Sequence, residues 1–192
     1  MTPWKQRLVD KLEPILRRKE PGPGLSPYHD LPFGIFVYPP DDEFAVREQV
    51  ALLRTRLTQA GKRVTTVSLA KCLDEALAAE GLDGASLAEA ERGSGLELTI
   101  ETVFSVLSDY RPLDQVIARH VPHDADPTRD VVFLTRVGAL FPLYRTSALL
   151  EQLKGQVTVP AVLFYPGVTD GPAGLRFMGM LDAEHNYRPR IF

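Results

Sequence analysis

The spacing of apolar residues along this chain changes several times, and each change marks a new element. From Thr2 to Glu20, Trp4, Leu8, Leu12, Ile15 and Leu16 recur at steps of three and four, which predicts a helix with one apolar stripe. Lys5, Arg7, Lys11, Arg17, Arg18 and Lys19 fill much of its remaining circumference, interrupted by Asp10, Glu13 and Glu20, and Pro14 predicts a kink. Pro21-Gly-Pro-Gly24 cannot extend this helix and reads as a linker. The expected division is residues 1–24 as amphipathic helix and linker, and residues 25–192 as a single α/β domain.

Beyond the linker the pattern alternates between strand and helix. Phe33 to Tyr38 is an apolar run of strand length stopped by Pro39-Pro40. Asp41 or Asp42 then suits an N-cap, and Val46, Val50, Leu53 and Leu57 mark the inner face of a helix that ends at Gly61. Val64 to Leu69 follows as a second strand, so strand, helix and strand form a parallel crossover unit. Helical spacing recurs over Ala70 to Glu80, Ser86 to Glu91, Leu96 to Leu107 and Leu113 to His120. Val131 to Thr135 is a continuous apolar strand of the kind covered on both faces. Pro142 to Lys154 reads as a helix and Ala161 to Tyr165 as a fourth parallel strand. Leu175 to Leu181 and Tyr187 to Phe192 are expected to pair as a hairpin at the sheet edge. Together these elements predict a Rossmann-like three-layer α/β/α fold with a mainly parallel sheet, an N-terminal amphipathic helix and a C-terminal edge hairpin.

Composition narrows the function classes. The 192 residues are 44% hydrophobic and 24% charged, as in globular proteins, and the net charge of −3 argues against a generally basic nucleic-acid surface. Cys72 is the single cysteine, which fits a cytoplasmic protein, and no apolar run reaches membrane-spanning length. The loops after the four strands, at Tyr38-Pro39-Pro40, Ala70-Lys71, Arg136-Val137-Gly138 and Tyr165-Pro166-Gly167, are where an open α/β sheet would hold a ligand. None has the glycine spacing of a phosphate cradle. His120 and His123 lie either side of Pro122 and do not share a helical face, His29 and His185 are single loop histidines, and Cys72 sits in an apolar helical stretch. Ser68 and Ser147 lie in no nucleophile elbow.

The last 60 residues concentrate Arg136, Arg145, Arg176, Arg188 and Arg190 among Tyr144, Tyr165 and Tyr187. Arginine and tyrosine combine contact area with directional hydrogen bonds, so these residues, with Trp4 as a helix anchor, are candidate partner contacts. The same guanidiniums could grip an anion, or tie down the tail.

Val131-Val-Phe-Leu-Thr-Arg-Val-Gly-Ala-Leu-Phe-Pro142, Tyr144-Arg145 with Leu149-Leu150, and Val159-Pro-Ala-Val-Leu-Phe-Tyr-Pro-Gly167 with Asp170-Gly171 form a joint pattern. With Leu175-Arg-Phe-Met-Gly179, Asn186-Tyr-Arg188 and Pro32-Phe-Gly-Ile-Phe-Val-Tyr-Pro39, it resembles the BrxB family of BREX bacteriophage-exclusion systems. The chain departs from that pattern at Thr146-Ser147, where a histidine is common, and at Pro189-Arg190 in the tail. The resemblance implies a non-enzymatic adaptor or assembly subunit of a phage-defence complex acting in host DNA methylation and phage exclusion, without a cofactor. Its implied leading partner is PglZ, of the alkaline-phosphatase superfamily, beside an AAA-type ATPase and an adenine methyltransferase, with DNA contacted only indirectly. Two rival readings stand beside it. One is a degenerate phosphate-loop-type nucleotide- or anion-binding domain using Arg136 and Arg145. The other is direct DNA binding through the basic face of the first helix.

Overall fold

The computed structural model describes residues 2–28, 32–171, 173–185 and 187–192; His29 and Asn186 lie outside them. The N-terminal segment runs without a break through α1 (Pro3–Arg7), a π-helical turn (Leu8–Leu12) and α2 (Glu13–Leu16). Pro14 has no N–H to return to the preceding turn. The π turn, closed by the Glu13 N–H on the Leu8 carbonyl, stands immediately before it. The expected linker is instead a helical turn, α3 (Gly22–Leu25). Gly24 lets it close on α2, since a Cβ there would lie 2.5 Å from Ile15 Cγ2.

β1 (Phe33–Tyr38) leads through a 3-10 turn (Pro40–Asp42) into α4 (Glu43–Gln59) and β2 (Arg63–Ser68). A helical insertion follows: α5 (Leu69–Ala79), α6 (Gly84–Ser94), α7 (Leu96–Ser105), a π-helical segment (Val106–Tyr110) and α8 (Leu113–Arg119). The chain continues through β3 (Asp130–Thr135), α9 (Thr146–Leu153), β4 (Ala161–Asp170), β5 (Gly174–Phe177) and β6 (Arg190–Ile191). α9 begins at Thr146 and not at the expected Pro142. A 3-10 turn at Val137–Leu140 intervenes, and Tyr144 is drawn into the core, 3% exposed.

The strand order is β2-β3-β4-β1-β6, parallel throughout, with β5 antiparallel to the end of β4. Side-chain alternation divides the core cleanly in two. Phe36, Tyr38, Val131, Phe133, Val162 and Phe164 point to one face and pack on the N-terminal helix and α4. Phe33, Ile35, Val37, Val132, Leu134 and Leu163 point to the other and pack on α5, α8 and α9. These are the three layers the apolar runs predicted. The α4 crossover from β1 to β2 lies on the first face, and the crossovers from β2 to β3 and from β3 to β4 lie on the second while moving the opposite way across the sheet. All three therefore share one hand, as parallel crossovers require.

The two C-terminal segments do not pair with each other. β5 folds back on β4, whereas β6 adds to β1 as a parallel edge strand, its Phe192 N–H donating to the Ile35 carbonyl at 2.8 Å. Gly34 leaves room for this, since a Cβ there would meet the Phe192 ring and Leu25 at 3.0 Å.

The N-terminal helix belongs to the same core as the domain behind it. Trp4 is 2% exposed and its Nε1 donates to Asp42 at 2.8 Å. Glu13, on the nominally basic face, is buried between Arg17 and Arg56 of α4, with Arg56 Nη2 at 2.7 Å. Lys62 donates from its amine to the carbonyls of Arg18 at 2.5 Å and Thr128 at 2.6 Å. Replacing Trp4 by Ala should therefore destabilise the isolated chain by about 3–5 kcal/mol, measured as a loss in urea unfolding free energy.

Burial alone would raise the Glu13 and Asp130 carboxyls, but hydrogen bonds from Arg56 and Arg17 on Glu13, and from Arg63 and the Asp126 amide on Asp130, outweigh it. Both stay below the usual carboxylate range. A depressed folded pKa gives stability that is complete above the unfolded value and lost as pH falls through the folded one. The double variant Glu13→Gln/Asp130→Asn should be less stable at neutral pH and lose less than the wild type between about pH 5 and about pH 3 in urea titrations.

Candidate interaction surface

The insertion between β2 and β3 is only half absorbed by the core. Its α5, α8 and the π segment bury Leu73, Leu77, Val106, Leu107, Val116 and Ile117 against the second face. By contrast α6 buries no residue. Its start is fixed locally by a capping box, in which the Asp83 carboxylate accepts from the Ser86 N–H and the Ser86 hydroxyl accepts from the Asp83 N–H, both at 2.8 Å. Gly95, at φ 89°, breaks the chain between α6 and α7 in a conformation that favours glycine.

α7 turns Thr99 and Val103 inward and leaves Leu96 at 59%, Leu98 at 51% and Phe104 at 48% exposure; Tyr110 beyond it is exposed too. Single exposed apolar residues are ordinary, but four on one short helical stretch are more than chance exposure would leave. Leu96, Ile100 and Phe104 lie four residues apart and share one face. Across from it, Pro142, Leu143, Tyr144 and Ala148 complete an apolar groove of about 590 Å³ with Ile100 and Phe104, and Glu101 and Arg145 stand on its rim. The Phe104 and Tyr144 rings pack at 5.5 Å between centroids.

A buried polar network holds the α9 side of this groove. The Tyr144 hydroxyl donates to Gln152 Oε1 at 2.5 Å, Thr146 and Tyr187 share a hydroxyl contact of 2.8 Å, and the Tyr187 hydroxyl donates to Glu184 at 3.0 Å. Arg145 donates to the other Glu184 oxygen at 3.0 Å, closing the network at the surface. Burial pushes the Tyr187 phenol up to about 12 and raises Tyr165 further, so both are neutral at physiological pH. The Tyr165 hydroxyl is fully buried and has no hydrogen-bond partner among the described residues.

These placements redistribute the sequence candidates. Tyr144, Arg145, Tyr165 and Tyr187 do come together, and Arg188 lies nearby, 3.8 Å from Glu151 of α9. Tyr165 and Tyr187 are buried, however, and support the surface from behind, whereas the Tyr144 ring, though buried, lines the groove. Trp4 is likewise a core residue on the other face and offers no anchor to a partner. Arg136, held at φ 59°, is separated from Arg145 and lines a shallow groove with Arg47 and Arg54 of α4. Arg176 pairs with Asp170 at 3.0 Å on the β4–β5 hairpin, and Arg190 sits on the β6 edge. Sequence reasoning read Leu96 to Leu107 as helical and did not single out Leu96, Leu98 and Phe104 as surface residues. The available signal was excess: with Ile100, Val103, Val106 and Leu107, they cover more of a helix than one buried face can use.

Two of the candidate nucleophiles have structural roles. Cys72 is buried and its thiol is pushed up to about 11 by burial and by Glu75, whereas Ser68 caps α5 by accepting the Lys71 N–H. No helix among the described residues is long and apolar enough to cross a membrane.

Fold and surface together define a doubly covered, mainly parallel α/β domain with a protruding helical insertion and an open apolar groove. The family model for BREX protein BrxB matches residues 65–191, and the chain belongs to that family, with a place in BREX phage defence. A BREX protein BrxB from Bacillus cereus (strain H3081.97) is 28% identical over 162 residues, covering 83% of this chain and 82% of the relative. No solved structure matches this chain.

Replacing Thr146 by Val would remove the buried hydroxyl contact with Tyr187 without opening a cavity. It should cost about 1–3 kcal/mol in urea unfolding, whereas Phe104→Ser on the exposed side should cost well under that.

Proposed function

We propose that this chain is a non-enzymatic binding subunit of a BREX complex and that it docks the PglZ-like component on the groove between α7 and α9. Family membership supports the setting. The observation that carries the docking site is the exposed apolar face of α7, with Leu96 and Phe104 about half exposed beside a preformed groove. A groove of this form takes an amphipathic helix through anchors about one turn apart. The insertion is also acidic, with nine Asp and Glu against two Lys and Arg between Ala70 and Tyr110, so the matching partner surface is apolar with a basic rim. In this reading the complex acts on host DNA in methylation and exclusion through its other components, and the subunit meets DNA only indirectly.

Co-expression with the PglZ-like protein of a BREX system, followed by size-exclusion chromatography with light scattering, tests this. The wild type should co-elute, and Leu96→Glu/Phe104→Glu should elute alone while keeping the wild-type melting temperature within a few degrees. Co-elution of the double variant would remove the groove as the docking site, and a free wild-type chain would remove the partner.

A further inference from the structure

The sheet has a crevice on the opposite side of the molecule from the α7 groove. β1 delivers the chain to α4 on the first face, whereas its neighbour β4 delivers it to β5, whose Leu175 and Phe177 pack on the second. Adjacent parallel strands whose continuations part to opposite faces leave a cleft at their carboxyl ends, the place where open α/β sheets hold ligands. Here the cleft has a volume of about 630 Å³ and is bounded by Tyr38 and Pro39 after β1, by Gly167 to Thr169 of β4, and by the N-terminal helix and β6. Gly167 keeps β5 close behind this wall, since a Cβ there would collide with the Arg176 carbonyl oxygen and the Tyr165 ring.

Three cations reach the cleft from three elements: Arg7 of α1, Lys11 of the π turn and Arg190 of β6. Arg7 is half-buried, lies over the Phe36 ring and, among the described residues, makes one hydrogen bond, from Nη2 to the Val37 carbonyl at 2.7 Å, which leaves most of its five donors unused; Arg190 lies over the Phe192 ring and reaches the Gly24 carbonyl with Nη1 at 3.5 Å. Among the described residues no carboxylate pairs with Arg7, Lys11 or Arg190. Two acids stand near: Asp42 lines the cleft and accepts from the Trp4 indole, and Asp170 pairs with Arg176. Burial pulls the Arg7 pKa below the ordinary guanidinium value, which records the cost of holding a charge there without a counter-charge. An anion in the cleft would offset that cost. Ile191 and Phe192 add apolar surface to the lining, and Val37 contributes the carbonyl that Arg7 holds, its side chain being packed on the second face.

We infer that this cleft binds a small phosphate-bearing anion, with Arg7, Lys11 and Arg190 on the phosphate and the Ile191–Phe192 wall against the rest of the molecule. Guanidinium forks beside a lysine point charge suit the several oxygens and double charge of a phosphate better than a single carboxylate. The volume falls within the roughly 300–1,000 Å³ of small-ligand sites.

Thermal unfolding of the full chain with pyrophosphate, AMP, ADP, ATP or a ten-nucleotide single strand, at matched ionic strength, tests the inference. At about 100 times its dissociation constant a bound ligand should raise the melting temperature by about 5 °C or more. A saturable rise with pyrophosphate identifies the phosphate as sufficient; a rise confined to the nucleotides assigns the apolar wall to the base. Lys11→Glu/Arg190→Glu, two changes outside the core, should abolish the rise, and Arg54→Glu in the separate α4 groove should retain it. No rise with any small phosphate, a rise with the oligonucleotide alone, or an equal rise in the double variant would overturn it.

Discussion

Pairing of the first strand with the fourth is the constraint on which the rest of this structure depends. β1 and β4 align over six residue pairs, from Phe33 opposite Ala161 to Tyr38 opposite Pro166, across more than 120 residues of intervening chain. Once they are neighbours, β1 can reach β2 only by crossing over β4 and β3, which commits α4 to one face and the remaining crossovers to the other. Both faces of the central strands must then be covered, and their uninterrupted apolar runs satisfy that demand. The N-terminal helix completes the cover beside α4, which explains why Trp4, Leu8, Leu12 and Leu16 are buried as deeply as any strand residue.

The same arrangement separates two surfaces of different chemistry. The first face carries basic residues around the carboxyl ends of β1 and β4, drawn from the N-terminal helix and the last strand. The second carries the acidic helical insertion, of which α6 buries no residue and α7 buries only Thr99 and Val103. Segments with few buried contacts add little to global stability. Leu96, Leu98 and Phe104 are held at the surface on α7, while α5, α8 and the π segment anchor the insertion. The Thr146–Tyr187–Glu184–Arg145 network fixes the opposing wall, so the groove is preformed, and a preformed site loses less entropy on association.

Much of this architecture is legible in the sequence because the strands are covered on both faces. Val131-Val-Phe-Leu134 and Ala161-Val-Leu-Phe164 admit few other readings, and the helix from Glu43 places Val46, Val50, Leu53 and Leu57 inward as its spacing predicts. What the sequence conceals are matters of pairing and exposure. The C-terminal segments have the length and proximity of a hairpin, but β6 joins β1 because Gly34 leaves space for Phe192, a contact between distant residues. Tyrosines that compose well as an interface are equally suited to a buried network, and only the positions of Thr146 and Glu184 distinguish the two. Glu13 looks like an interruption of a basic face until Arg56 is placed beside it. The interaction surface was the least legible part, since helical periodicity marks apolar residues but does not say which of two apolar faces the core will take.

Hydrogen–deuterium exchange of this chain, alone and with the PglZ-like protein, tests the central claim most directly, that the half-absorbed insertion is a docking surface. The account predicts slowed exchange in α7 and the first turn of α9 on complex formation, with the sheet unchanged. Slowed exchange confined to α4 and β2, with α7 unaffected, would contradict it.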